Sequence, residues 1–435
     1  MAALKALFLL LLAARNTVAV PPLPKNGLLS PVVREGSKLL VDGKQWRAVG
    51  PNVYWLGLDE NVVPPAGEPY DASTHSSYPT KERVTEVMAV VNALGGTRKL
   101  SGHQRLTSNT TVIRSHTLGT NIGNPLTIWP KQGVVNDEAF NSIDWTVYQA
   151  GLYEVRLLVP LVDNYDYFHG GKYNFLRWAG FDLTKDKDSN NPQIQQFYTN
   201  FTIVSAFKDF IKTLLTHRNQ YNNLTYAEDT TIFAFETGNE LLGPIWGDMD
   251  CPADWVKDIA KYIKSLAPQK LVFDGTYGIN KTHLSIKEVD VFSDHFYPPN
   301  NKKLKAGIDA VASVNKVYFA GEFDWAGASG GDSLESFFEV LENNPTVGGD
   351  AFWSLFGRNG LDCNGITNTV DQTFVDHSDG FTLQYGNPRN TAYTNSRIRL
   401  IRKHFITMSK GKAIDFDEPL PPVPCPAPPP QRRMI

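Results

Sequence analysis

The feature that most constrains the fold is an alternation. Short apolar or β-branched runs begin near Ala48, Thr111, Tyr153, Thr231, Lys270, Val289, Lys316 and Gly348, with amphipathic, helix-like stretches between them. Those stretches include residues 81–94, 197–217, 252–266, 304–314 and 332–343, and one more, 395–408, follows the last run. Strand and helix alternating eight times predict a single-domain α/β fold, an eightfold parallel β/α (TIM) barrel. A doubly wound open sheet is the competing topology. It usually carries a glycine-rich phosphate turn after an early strand, and Gly50-Pro51-Asn52 is not one. Ahead of the first run, Asp42-Gly43 sits between apolar flanks in residues 39–46, the usual sign of a tight β-hairpin, here expected to cap a barrel floor.

Bulk properties narrow the function. With 435 residues, 42% hydrophobic and 11% aromatic, the chain can bury a large core without a metal or disulfide framework. A formal net charge of -3 leaves no electrostatic footprint for nucleic acid or an anionic membrane, so a neutral ligand is expected. Of three cysteines, Cys251 and Cys363 are the candidate pair, and Cys425 lies in the proline-dense stretch 419–430. None sits at metal-ligand spacing.

Three segments follow from composition. Residues 1–19 read as a secretory signal: Lys5, an apolar run over 6–14, then Thr17-Val18-Ala19 as a small-residue cleavage site. The run is shorter than the roughly 20 apolar residues that span a bilayer, so a secreted, extracellular protein without membrane attachment is expected after cleavage. Residues 20–417 form the barrel and 418–435 a proline-rich, extended tail. Asn109, Asn200, Asn223 and Asn280 head N-x-Ser/Thr sequons that suit a glycoprotein, and a monomer is expected.

Ligands of β/α barrels gather where the strands end, so polar residues there are the candidates for chemistry. The fourth run, Thr231-Ile232-Phe233-Ala234-Phe235-Glu236, leads through Thr237-Gly238 to Asn239-Glu240. The seventh, Lys316-Val317-Tyr318-Phe319-Ala320, presents Gly321-Glu322-Phe323, with Gly321 allowing close backbone approach. A lone glutamate at a strand end is ordinarily a rim ion pair. Two on one rim meet the need of glycosidic hydrolysis, in which one carboxyl protonates the leaving oxygen and the other attacks or activates water.

These motifs resemble glycoside hydrolase family 5, of clan A, over about residues 46–408. The string Arg156-Leu157-Leu158-Val159-Pro160-Leu161-Val162-Asp163-Asn164-Tyr165, continued by Gly170-Gly171-Lys172 and Trp178-Ala179-Gly180, resembles the family's secreted endo-β-1,4-mannanases more than its cellulases. The resemblance implies a retaining mechanism, with Glu322 as nucleophile and Glu240 as acid and then base. It also implies that Arg114 and Tyr297 hydrogen-bond Glu322, that Asn239 binds the sugar 2-hydroxyl, that His295 belongs to the site and that Trp353 floors it. Trp55 (with Tyr54), Trp246 and Trp325 lie just beyond strand ends and are candidate stacking surfaces for sugar rings.

No Gly-x-Ser-x-Gly elbow, His-Glu-x-x-His helix or dinucleotide loop is present, and no cofactor or metal is expected. Asp163, His169 and the acidic stretch 182–188 lack calcium-loop spacing. Two departures from the mannanase pattern stand out. Residues 97–109 intervene between the first helix and the second strand, either as a loop on the non-catalytic face or as translated non-coding sequence. Asn164-Tyr165 stands where the pattern tends to have Asn-Trp. The resulting expectation is a mannan endo-1,4-β-mannosidase acting on a polysaccharide, with a β-1,4-glucanase or a catalytically silent carbohydrate-binding barrel as rivals.

Overall fold

The computed structural model describes residues 29–59, 76–95, 111–115, 123–181, 183, 191–241, 251–358, 377, 379–410 and 420. Three short antiparallel strands come first: β1 (Val32–Glu35), β2 (Lys38–Val41) and β3 (Lys44–Trp46). Asp42 and Gly43 both have positive φ, 50° and 72°, the conformation a two-residue hairpin needs to match strand twist.

Eight parallel strands follow: β4 (Ala48–Pro51), β5 (Val112–Arg114), β6 (Arg156–Pro160), β7 (Ile232–Glu236), β8 (Leu271–Asp274), β9 (Val291–Phe296), β10 (Val317–Phe323) and β11 (Val347–Phe352). They hydrogen-bond in the order β4-β11-β10-β9-β8-β7-β6-β5, and bridges from Val49 to Thr111 and from Asn52 to Arg114 join the two ends. The sheet therefore closes, as the eightfold alternation predicts. The third strand starts three residues later than Tyr153, because that residue caps the preceding helix through its backbone N–H.

The helices are α1 (Lys81–Leu94), α2 (Ala139–Leu152), α3 (Lys172–Trp178), α4 (Gln196–Thr199), α5 (Phe201–Thr216), α6 (Ala253–Leu266), α7 (Asn301–Ala312), α8 (Leu334–Asn343) and α9 (Ala392–Lys410). The single helix expected over 197–217 breaks at Asn200. Its backbone is extended and its side chain accepts from the N–H of Thr202, which starts α5 as an N-cap does.

Inward-facing Val112, Leu158, Ala234, Phe273, Val291, Phe319 and Ala351 fill the barrel, and Val32, Leu39 and Trp46 of the small sheet pack into the same cluster. Trp46 meets Phe233 edge-on with centroids 5.3 Å apart, so the hairpin does close the floor. A second, larger cluster lies between strands and helices. Fully burying a side chain such as Leu, Val or Phe contributes about 1.5–3 kcal/mol, and this double layer holds the strand ends rigid for the site.

Gly95, the residue after α1, packs so tightly on Thr111 that a Cβ there would collide with the threonine side chain. The helix therefore ends against the residue that immediately precedes β5. The segment 97–109 lies outside the described residues, as do the signal at 1–19, all of the acidic stretch 182–188 but Leu183, Cys363, Cys425 and the sequon at Asn109. Cys251 is buried. Asn280 is also buried, with its side-chain oxygen taken by the N–H and hydroxyl of Thr282, so this sequon has no room for a glycan in the folded chain. Among the described residues, no helix is long and apolar enough to cross a membrane.

Candidate active site

The two glutamates reach the barrel mouth by different local routes. Glu322 lies within β10, where the pairing with β9 skips Gly321. A Cβ at Gly321 would strike the Ser293 hydroxyl and His295 Nε2, so glycine lets the strand pass close behind these groups. Glu240 follows β7 and has a φ of 50°, which is unusual for a residue with a side chain. Parallel bridges pin both its neighbours, Asn239 to Asp163 and Leu241 to Thr276, and the turn between them aims Glu240 back over the mouth.

Arg114, at the end of β5, is fully buried and organises the floor. Its Nη1 donates to Glu322 Oε1 (2.7 Å) and Asn52 Oδ1 (3.0 Å), its Nη2 to Asn239 Oδ1 (2.8 Å) and its Nε to Glu236 Oε2 (2.7 Å). The Tyr297 hydroxyl donates to the other Glu322 oxygen at 3.0 Å. On the facing carboxyl, Glu240 Oε1 lies 2.6 Å from His295 Nδ1, and Oε2 accepts from the Tyr165 hydroxyl at 2.7 Å. Asn239 completes the frame by donating to Asp163 Oδ1 at 3.2 Å.

Burial shapes the charges. Burial, reinforced by the charge of Glu240, raises the proton affinity of Glu322 against the pull of Arg114 and the Tyr297 hydrogen bond. On Glu240 burial works in the same sense, but the hydrogen bonds from His295 and Tyr165 and the charge of Arg114 outweigh it. The carboxyls titrate together, and the pair holds a proton above the ordinary carboxylate range. Burial drops His295 to about 4 despite its contact with Glu240, so its imidazole is neutral near pH 7. Burial raises Glu236 to about 7 and Asp163 to about 7, in each case against donors on the carboxylate.

Two cavity lobes share Tyr165, Glu240, Glu322 and Trp353. One of about 310 Å³ is also lined by Tyr277, Tyr297, Asp379 and Phe381, and the other, about 370 Å³, by Tyr54, Asp163, Tyr167, His169, Asn239 and His377. Trp353 stacks on Tyr54 with planes 8° apart and donates to Asp379 Oδ2 at 2.8 Å. The short strands β12 (Leu355–Phe356) and β13 (Leu383–Gln384) pair beside the mouth and bring Asp379 and Phe381 to it.

Arg114, Asn239, Glu240, His295, Tyr297, Glu322 and Trp353 thus come together. Two expected aromatics do not join them. Trp55 is 0% exposed, bonds the Leu355 carbonyl and packs under Arg83, so Tyr54, one residue earlier, takes the cavity wall. Trp325 is 2% exposed and supports the site only from behind, donating to the Phe381 carbonyl. Trp246 lies outside the described residues. Asn52, Glu236, Tyr277, His377 and Asp379 were not singled out in the sequence. Glu236 had a signal, a charge ending an otherwise apolar strand.

Among the described residues, Glu240, His295 and Glu322 each offer an atom within 4.8 Å of the others, close enough to share a cation. The Arg114 guanidinium already supplies positive charge at Glu322, and His295 spends its Nδ1 on Glu240.

Barrel, opposed glutamates and their buried arginine together make the mouth that the family resemblance implies for clan A. Residues 119–327 match the sequence model described as GH family 5 beta-mannosidase-like. Mannan endo-1,4-beta-mannosidase 1 of Arabidopsis thaliana is 27% identical over 277 residues, covering 62% of this chain and 56% of the relative. Mannan endo-1,4-beta-mannosidase 8 of Oryza sativa subsp. japonica is 32% identical over 166 residues, 37% of this chain and 42% of that one. The chain spans about half the length of the curated relatives it matches. In structure, the endo-1,4-beta-mannanase of Rhizomucor miehei superposes with a TM-score of 0.63 at 20% identity, over 88% of this chain and all of that one. An endo-beta-1,4-mannanase of Thermotoga petrophila gives 0.62 at 20% identity, over 86% and 79%, and both likenesses speak to the fold. Over residues 119–327 the chain is thus similar to glycoside hydrolase family 5 proteins of the mannosidase-like kind.

Proposed function

We propose that the chain is a retaining glycoside hydrolase that cleaves β-1,4-linked mannan, as a mannan endo-1,4-β-mannosidase. The observation that carries this reading is the spacing of Glu240 and Glu322, whose nearest carboxylate oxygens lie within 4.8 Å across the mouth. Retaining enzymes hold the two carboxyls about 5–5.5 Å apart, whereas inverting enzymes leave about 6.5–9.5 Å for a water between them. The names of the curated relatives support the substrate.

In this reading Glu322 attacks the anomeric carbon while the Glu240 carboxylic acid protonates the departing glycosidic oxygen. The C–O bond to the leaving sugar breaks and an ester to Glu322 forms. Glu240, now a carboxylate, takes a proton from water, whose oxygen attacks the same carbon and releases Glu322. Arg114 and Tyr297 hold Glu322 aimed and favour its charge, and Trp353 floors the reacting sugar with its flat face against ring C–H groups. The amide of Asn239, fixed by Arg114 and Asp163, faces the 2-hydroxyl, the one position where mannose and glucose differ. A signal-directed, extracellular setting suits a polymer substrate and belongs to the same proposal.

Reducing-sugar release from galactomannan, glucomannan, xylan and carboxymethyl cellulose tests it, with Glu240→Gln and Glu322→Gln as controls. Mannan-selective release lost in both variants supports the reading. Glucan-selective release keeps the chemistry and replaces the substrate, and no release from any polymer overturns the enzyme reading in favour of a carbohydrate-binding barrel.

A further inference from the structure

We infer that Tyr165 is a positioning residue for Glu240, its hydroxyl holding the acid/base carboxyl in place and setting how readily that carboxyl gives up its proton. The inference rests on the reading of Glu240 as acid/base and concerns a position at which this chain departs from the pattern it resembles, Asn-Tyr standing for Asn-Trp. An indole in place of the phenol has no hydroxyl to offer.

The contact is built by the backbone on both sides. Tyr165 follows β6, and its own N–H donates to Asp163 Oδ1 at 3.1 Å. The adjacent Asn164 N–H donates to the Asn239 carbonyl at 3.0 Å, and the Asn239 N–H to the Val162 carbonyl at 2.6 Å. Tyr165 and Glu240 thus sit on two segments tied together one residue from each. Gly171 keeps the Tyr165 carbonyl in place, because a Cβ there would collide with it. From this frame the phenol reaches Glu240 Oε2 at 2.7 Å and lines both cavity lobes.

Among the described residues, Glu240 Oε1 is held by His295 and Oε2 by Tyr165. The charged and titratable groups around this carboxyl are Asp163 beside Tyr165, Arg114 on β5, Tyr277 after β8, Asp294, His295 and Tyr297 on or after β9, and Glu322 on β10. Burial and the nearby carboxylates push the Tyr165 phenol far above its usual range, so it stays a donor throughout the working pH. A hydroxyl donor bonds a carboxylate more strongly than a carboxylic acid, so it favours the charged form. Tyr165 therefore makes Glu240 a readier acid for the leaving oxygen, and it fixes the carboxyl's rotation for both steps.

The test compares wild type with Tyr165→Phe and Tyr165→Trp. Both variants remove the hydroxyl and keep an aromatic ring. In kcat/KM against pH on a mannan oligosaccharide, the alkaline limb reports loss of the acid proton. That limb is expected to move to higher pH in both variants, by about a threefold change in proton affinity, with the acid limb unmoved. An aryl mannoside with a good leaving group needs no protonation, and its profile should not shift. A lower rate with no movement of the alkaline limb would overturn the inference. The carbon-13 carboxyl resonance of Glu240, assigned by its loss in Glu240→Gln, gives the same answer without turnover. A midpoint raised in Tyr165→Phe supports the role and an unmoved one refutes it, even if no glycan proves to be a substrate.

Discussion

Arg114 and Glu322 are joined by a 2.7 Å charge-assisted hydrogen bond in which the arginine is wholly buried, and the same guanidinium is tied to Glu236 at 2.7 Å. One cation thus fixes the candidate nucleophile and neutralises a second carboxylate behind it. Arg114→Lys offers a single ammonium for four acceptors, so it cannot satisfy Glu236, Asn52, Asn239 and Glu322 together. The variant should lose at least about a hundredfold in kcat/KM. Its melting temperature should also fall, since stranding a buried charge costs about 3–5 kcal/mol. Kinetics and a thermal melt check both, and activity within threefold of wild type would show that Arg114 does not hold the nucleophile.

Two tryptophans separate binding from folding. Trp353 faces the cavity, so Trp353→Ala should cost about tenfold or more in kcat/KM on mannan, as expected from losing roughly 1.4 kcal/mol of stacking. Trp55 is buried under Arg83 with its indole N–H on the Leu355 carbonyl, so Trp55→Phe should lower stability by about 1–3 kcal/mol and leave KM unchanged. Denaturant unfolding set beside saturation curves distinguishes them.

How much of this was legible in the sequence depends on direction. The strands could be read because apolar runs signal burial whichever way they face, and Glu240 and Glu322 because they end two such runs. Trp55 was misplaced for the same reason. Position beyond a strand end does not say which way a ring points, and Tyr54 points into the cavity instead. Helix α2 was not named because polar Ser142, Asp144 and Gln149 are buried along it, which blurs its apolar stripe. Asp144, for instance, is held by His217 and Tyr226 from 73 and 82 residues away. Asp379 and Phe381 come from a stretch with no periodic pattern, and only their contact with Trp353 and Tyr297 reveals them.

A buried histidine gives stability a pH dependence. His404 on α9 lies between Glu342 (2.8 Å) and Asp350 (2.9 Å). Burial lowers its proton affinity, but the two carboxylates prevail and raise it from 6.5 to about 9. Its folded value lies above the unfolded one, so the contribution is fully present below about pH 6.5 and is lost as pH rises through about 9. It is on the order of 3 kcal/mol. The melting temperature of wild type should fall between pH 7 and 10 more steeply than that of His404→Gln, and parallel curves would contradict this.

The contact of Gly95 with Thr111 bears on residues 97–109, because these two described residues on either side of the segment already pack together. Deleting those residues should leave both the melting temperature, within about 2 °C, and activity intact. A large loss of either would show that the segment is structural.

In the proposed mechanism Glu322 forms a covalent bond with the sugar. Incubation with a 2-deoxy-2-fluoro-β-mannosyl donor bearing a good leaving group, followed by intact mass and peptide mapping, detects that bond. A single added fluoromannosyl group is expected on the peptide carrying Glu322, absent in Glu322→Gln. A label on any other residue, or turnover without a label and with inversion at the anomeric carbon, would contradict it.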